Sequence, residues 1–237
     1  FGVHYKGENV EGTVGFKAGG FKDLWGKLTI NDEMSVLVGR TTAPFSLSRN
    51  GAVCAGDVGN PGVGRFDMIL LQTGSFKIAA MNAEPKLENL KNLTSANTLV
   101  DIDGAENKNI LPRFEAILNH TFDNNFSFAA GGGFQTFKFE YGTDTDSSIN
   151  VNSYILGFEL EGIFGPVTLT GRGTYGSNLG LYLSGGIGGY NDRKPVFEMA
   201  TEKLKNNSSI STFAGIKIKA TDAITPGAGY GVTTQIH

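Results

Sequence analysis

From residue 153 the side chains alternate between apolar and polar with a period of two. Tyr154, Leu156, Phe158, Leu160 and Phe164 fall on one face of an extended chain. Ser153, Gly157, Glu159 and Glu161 fall on the other, because successive strand residues point to opposite sides. Gly165-Pro166 breaks the run. Val167, Leu169, Gly171, Gly173 and Tyr175 then alternate with Thr168, Thr170, Arg172 and Thr174. Strands in soluble domains average about 5–6 residues, whereas about 9–11 tilted residues cross a bilayer core. The expected fold class is therefore all-β: a transmembrane antiparallel β-barrel, apolar to lipid and polar to the lumen.

The same alternation recurs along the chain. Val10, Val14 and Phe16 oppose Glu11, Thr13 and Lys17; Leu24 and Leu28 oppose Trp25 and Lys27. Phe76 and Ile78 oppose Lys77, and Phe114, Ala116 and Leu118 oppose Arg113 and Glu115. Phe126, Phe128 and Phe134 oppose Ser127 and Gln135, and Ile210, Ile216 and Ile218 oppose Ser211, Lys217 and Lys219. Past Gln135 the aromatics shift to Phe137, Phe139 and Tyr141, which predicts a bulge or a strand leaving the membrane.

Connections alternate between short and long. Short ones are expected at 8–10, 31–33, 73–74, 123–125, 165–166 and 221–223. Long ones are expected near 42–63, 84–109, 142–149 and 177–208, with 19–23 on the same side. Outer-membrane barrels pair short periplasmic turns with longer external loops. That parity makes 177–208 one loop, in which Phe197, Met199, Ala200 and Leu204 predict a helical piece over 196–205. About twelve strands result, forming a single domain over 1–237. The chain begins and stops inside strand-like segments, which predicts further strands beyond both ends.

Composition narrows the classes. With 34 Gly, 17 Phe and 40% apolar residues among 237, no run of about 18 apolar residues exists to make a transmembrane helix. A net charge of −3 gives no electrostatic case for nucleic acid. The single Cys54 excludes an internal disulfide. Catalytic chemistry finds no support: His4, His120 and His237 are far apart, no Gly-x-Ser-x-Gly occurs, and Asp144 and Asp146 lack the rest of a calcium loop. Residues 59–64 lack the Lys-Ser/Thr ending of a phosphate loop. No enzyme activity, metal or cofactor is expected.

Two segments carry a resemblance. "FGVHYKGENVEGTVGF" with "LWGKLTINDEMSVLVGRTTAPFSL", and later "FAGIKIKATDAITPGAGYGV", resemble the early and late hairpins of trimeric general porins of Gram-negative bacteria. The likeness covers most strands and rests on a pattern of glycines, aromatics and turns. It implies a sixteen-stranded barrel, a homotrimer, a bacterial outer-membrane location and passage of small hydrophilic solutes and ions. It also implies that the third external loop folds into the pore. With one strand before Phe1, residues 42–63 take that position. The loop lacks the dense acidic cluster of the enterobacterial pattern and offers Arg49 and Asp57 instead.

Lumen-facing charges are the candidate working residues. The expected pore-lining and constriction set is Lys17, Lys27, Arg49, Asp57, Arg113, Glu115, Glu159, Glu161, Arg172, Lys217 and Lys219, with Glu11 beside them. Charged rings at a constriction set ion preference, whereas cross-strand pairs merely neutralise one another. Glu159 and Glu161 opposite Arg172 fit the pairing role. Along the strands, six basic residues stand against four acidic ones, a weak anion preference at most. A rival class is a non-conducting surface barrel whose external loops bind a partner.

Overall fold

The computed structural model describes residues 1–18, 20–45, 47, 64–82, 91–93, 99–101, 106–123, 125–140, 148–179, 195–198 and 203–236. The described residues are almost entirely β. In chain order the strands are β1 (Gly2–Lys6), β2 (Val10–Lys17), β3 (Gly20–Thr29), β4 (Met34–Thr42), β5 (Arg65–Thr73) and β6 (Phe76–Asn82). Short β7 (Lys91–Leu93), β8 (Leu99–Asp101) and β9 (Glu106–Asn109) follow, then β10 (Arg113–Asp123), β11 (Phe126–Glu140), β12 (Ser148–Phe164) and β13 (Val167–Ser177). Last come short β14 (Val196–Glu198) and β15 (Lys203–Lys205), then β16 (Ser208–Ile218) and β17 (Gly227–Ile236).

Twelve strands form one antiparallel meander in the order β1-β2-β3-β4-β5-β6-β10-β11-β12-β13-β16-β17, with β9 added beside β11. The sheet is not closed: β1 and β17 are its edges. Because each of these twelve strands pairs with the next of the twelve along the chain, the short turns leave the sheet at one end and the long connections at the other. The turns use local chemistry. Asn31 Oδ1 accepts from the backbone N–H groups of Glu33 (3.0 Å) and Met34 (2.8 Å), an Asx turn. Gly165 takes φ 58° ahead of Pro166, a two-residue hairpin turn whose twist matches the flanking strands.

The two faces of the sheet are inverted relative to a soluble domain. On β12, Leu156, Phe158 and Leu160 are 58%, 48% and 39% exposed, while Glu159 and its cross-strand partner Arg172 are 7% and 3% exposed. Val10, Leu24, Leu28, Val38, Ile69, Phe114 and Ile216 are also exposed on the apolar face. The apolar face is called outward here, and the face carrying the buried charges inward.

Several expectations change. The sheet runs without a bulge through residues 135–140: Phe126↔Gly162 to Glu140↔Ser148 is one continuous register. Phe137 and Phe139 therefore keep the inward phase of Gln135 and are fully buried. The predicted 19–23 connection shrinks, since β3 starts at Gly20, and the last turn spans residues 219–226. The predicted helix over 196–205 is replaced by β14 and β15, which pair with each other. β14 also pairs in parallel with β7, so the second and fourth long connections share a four-stranded sheet, β15-β14-β7-β8. A ten-residue helix is marginal on its own, and strand pairing satisfies the same backbone groups.

Candidate functional site

The inward face is built from three kinds of surface: paired charges, a hydrophobic patch under the chain that follows β4, and a partly exposed polar patch.

Glu159 and Arg172 face each other directly in the β12–β13 register. Arg172 donates from Nε and Nη2 to Glu159 Oε2, each at 2.9 Å, and its guanidinium lies over the Phe213 ring at 5.3 Å. Burial raises the desolvation cost of both charges, and two hydrogen bonds to one carboxylate offset part of it. The sequence expectation of a cross-strand pair fits this geometry for Glu159. Glu161 instead accepts from Thr170 Oγ1 at 3.3 Å, its register partner.

Arg113 and Glu115 lie two residues apart on the inward face of β10 and form a buried ion pair. Arg113 stacks over Phe66 at 4.8 Å. Glu115 also accepts the backbone N–H of Phe45 at 3.0 Å. That contact brings the chain beyond β4 onto the inward face. The Phe45 ring packs with Leu47, Ile117, Ile155 and Leu179, all 0–1% exposed. The wall makes room for it. A Cβ on Gly131 would sit 2.8 Å from Phe45 Cδ2, and one on Gly157 would sit 3.1 Å from Phe45 Cζ. With no side chains of their own, these two glycines receive the aromatic ring. Ala43 packs in a second patch with Met68, Ala79 and Met81.

The described start of the 42–63 segment therefore meets β10, β11 and β12, with Arg113 and Glu115, rather than Lys17 and Lys27. Arg49 and Asp57 lie outside the described residues, as do Cys54, Asp144 and Asp146. Lys27 Nζ sits 3.5 Å from Glu11 Oε2 with both side chains partly exposed. Lys17 ends β2 and is exposed, and Lys217 is half-buried on the inward phase of β16. Lys219 lies past the end of β16 and pairs with Asp222 at 2.7 Å in the final turn, outside the wall.

Sequence reasoning missed the hydrophobic inward patch. The signal was present where both phases of a strand are apolar, as at Met68-Ile69, Ile117-Leu118 and Ile155-Leu156. It also missed Asn178, which is fully buried with φ 55°. Its side chain donates to Asn152 O and Asn206 Oδ1, each at 2.8 Å, and accepts from the Asn207 N–H at 3.0 Å. This network ties the two ends of the 178–207 connection together.

Outward aromatics stand near both strand ends. Phe122, Phe126 and Phe164 flank the short turns; Tyr154 and Tyr175 sit at the other end with hydroxyls 3.4 Å apart. His120 is exposed and meets Phe122 edge-on at 4.7 Å. No known protein-family model matches the chain, and no curated protein matches its sequence.

Proposed function

We propose that this chain forms the wall of a porin-type channel in a bacterial outer membrane, passing small hydrophilic solutes and ions by diffusion. The observation that carries the reading is the inversion of the sheet: Leu156, Phe158 and Leu160 exposed, Glu159 and Arg172 buried behind them. In water such a face would expose a broad apolar surface; against lipid it is the favourable side. The ten steps from Tyr154 to Phe164 rise about 33 Å along the strand at about 3.3 Å each. At a tilt of about 40° that is about 25 Å of height, the height of a barrel's apolar band between aromatic girdles.

Closure of the sheet is part of the proposal, since unpaired strand edges do not persist in hydrocarbon. Further strands bridging β17 and β1 would complete a barrel of sixteen, wide enough for an aqueous channel, and the resemblance extends the reading to a homotrimer. The segment beyond β4, held by Glu115, is then the inward loop that narrows the lumen. Two observations favour a second reading, a non-conducting surface barrel whose loops bind a partner: the inward face around Phe45 is filled by packed side chains, and two of the long connections pair into a sheet of their own.

Solute efflux tests the function. Vesicles reconstituted with the folded protein should release small sugars and retain large dextrans. Equal retention of both sizes by protein shown to be inserted supports the second reading.

A further inference from the structure

The chain's only tryptophan, Trp25, faces inward on β3. Tryptophan in a membrane wall favours the outward interfaces, where its ring sits among headgroups. Here the ring is half-buried on the opposite face, in the same register row as Thr13 and His4. The His4 ring lies 6.3 Å from it. His4 Nδ1 is 2.8 Å from Thr13 Oγ1, and His4 Nε2 is 3.4 Å from Glu11 Oε1. Lys27 donates to Glu11 Oε2 at 3.5 Å. The His4, Glu11 and Lys27 side chains are 49%, 28% and 31% exposed, so these groups stand open beside a flat apolar ring.

We infer that Trp25, His4, Glu11, Thr13 and Lys27 form a subsite for a neutral sugar, one hexose unit of an oligosaccharide. The inference rests on the channel reading and names the solute class. Binding sites combine an apolar or aromatic surface with a few placed polar groups. A hexose presents a CH face, which stacks on an indole, and a rim of hydroxyls that both donate and accept. The patch supplies the matching inventory: Lys27 donates, Glu11 accepts, and Thr13 and His4 do either. Charge selects against ionic solutes, because Glu11 and Lys27 neutralise each other and leave no unopposed charge for a carboxylate or an amine. Among the described inward residues, the apolar patch is covered by Phe45, and the Arg113–Glu115 and Glu159–Arg172 pairs are buried.

Trp25 reports its own occupancy, because no other tryptophan contributes to the emission. Maltohexaose is titrated into the folded protein in detergent. A saturable change in Trp25 emission with a millimolar midpoint is expected. Glu11→Gln and Thr13→Val, with strand content confirmed by circular dichroism, should shift that midpoint about tenfold upward. In planar bilayers, maltohexaose should interrupt the current of the parent protein, more weakly that of Trp25→Phe, and not that of Trp25→Ala. A change that never saturates, or one equal in Glu11→Gln and Thr13→Val, overturns the subsite. Conductance without any response to maltohexaose overturns the subsite and leaves the channel. A saturable, variant-sensitive emission change in a protein that conducts nothing supports the subsite and overturns the channel.

Discussion

Replacing Phe45 with alanine should release the chain that follows β4 from the inward face. The ring is fully buried against Ile117, Ile155 and Leu179 and fills the space over Gly131 and Gly157. Truncating a buried phenylalanine costs about 3–5 kcal/mol, the lost transfer free energy plus the cavity left behind. The twelve-stranded meander does not depend on this ring, so the loss falls on the local equilibrium between a docked and a lifted segment. The Phe45 amide, bonded to Glu115 at 3.0 Å, reports that equilibrium. At 1.4 kcal/mol per factor of ten, its hydrogen exchange should quicken at least on the order of a hundredfold. The opposite perturbation tests the same contact. A methyl at Gly157 would lie 2.7 Å from Thr174 Cγ2 and 3.1 Å from Phe45 Cζ, an overpacking worth about 1–3 kcal/mol. Part of that cost should vanish in the Phe45→Ala background, a coupling that the double-mutant cycle measures. Exchange mass spectrometry on the micelle-bound protein reads the parent and the three variants. Exchange at Phe45 within a fewfold of the parent in Phe45→Ala would refute the docked-ring account.

Leu156→Arg should destabilise the bilayer-inserted protein by about 2–4 kcal/mol if the residue lies near midplane, measured by urea titration in lipid vesicles. Arg172→Met should cost about 3–5 kcal/mol by removing the guanidinium that offsets the buried Glu159 charge, and Glu159→Leu in the same protein should recover most of it, read from the thermal midpoints of both variants. Asn178→Ala should destabilise more than Asn178→Gly, because only glycine tolerates the φ of 55° without a Cβ penalty; equal losses would place the whole effect in the side-chain hydrogen bonds. In vesicles, a water-soluble thiol reagent should label cysteine at position 27 and not at 28, in a Cys54→Ser background. Labelling at 28 alone would reverse the assignment of the faces.

The strand framework was legible because period-two alternation survives wherever only one face is apolar. Residues 154–164 and 167–175 show this, and their hairpin falls where Gly165-Pro166 places it. Legibility failed where the inward face is itself covered. The aromatics Phe137 and Phe139 predict a bulge or a strand leaving the membrane, yet the uninterrupted register with β12 keeps both in the inward phase. The site was legible as single residues more than as a surface. The pairing of Glu159 with Arg172 follows from a two-residue turn, which fixes the register between Phe164 and Val167. The docking of Phe45 over Gly131 and Gly157 spans more than 80 residues of sequence and leaves no local pattern. The segment 196–205 misled for a related reason. Its helical spacing is real, but the neighbouring connection offers β7 as a strand partner, and pairing between two distant loops is invisible to any local window.

Single-channel recording in planar bilayers tests the central claim most directly. Folded, purified protein should insert and give discrete conductance steps that scale with salt concentration, as a water-filled lumen requires. Silent bilayers, with insertion of the folded protein verified independently, would contradict the channel and leave a non-conducting barrel.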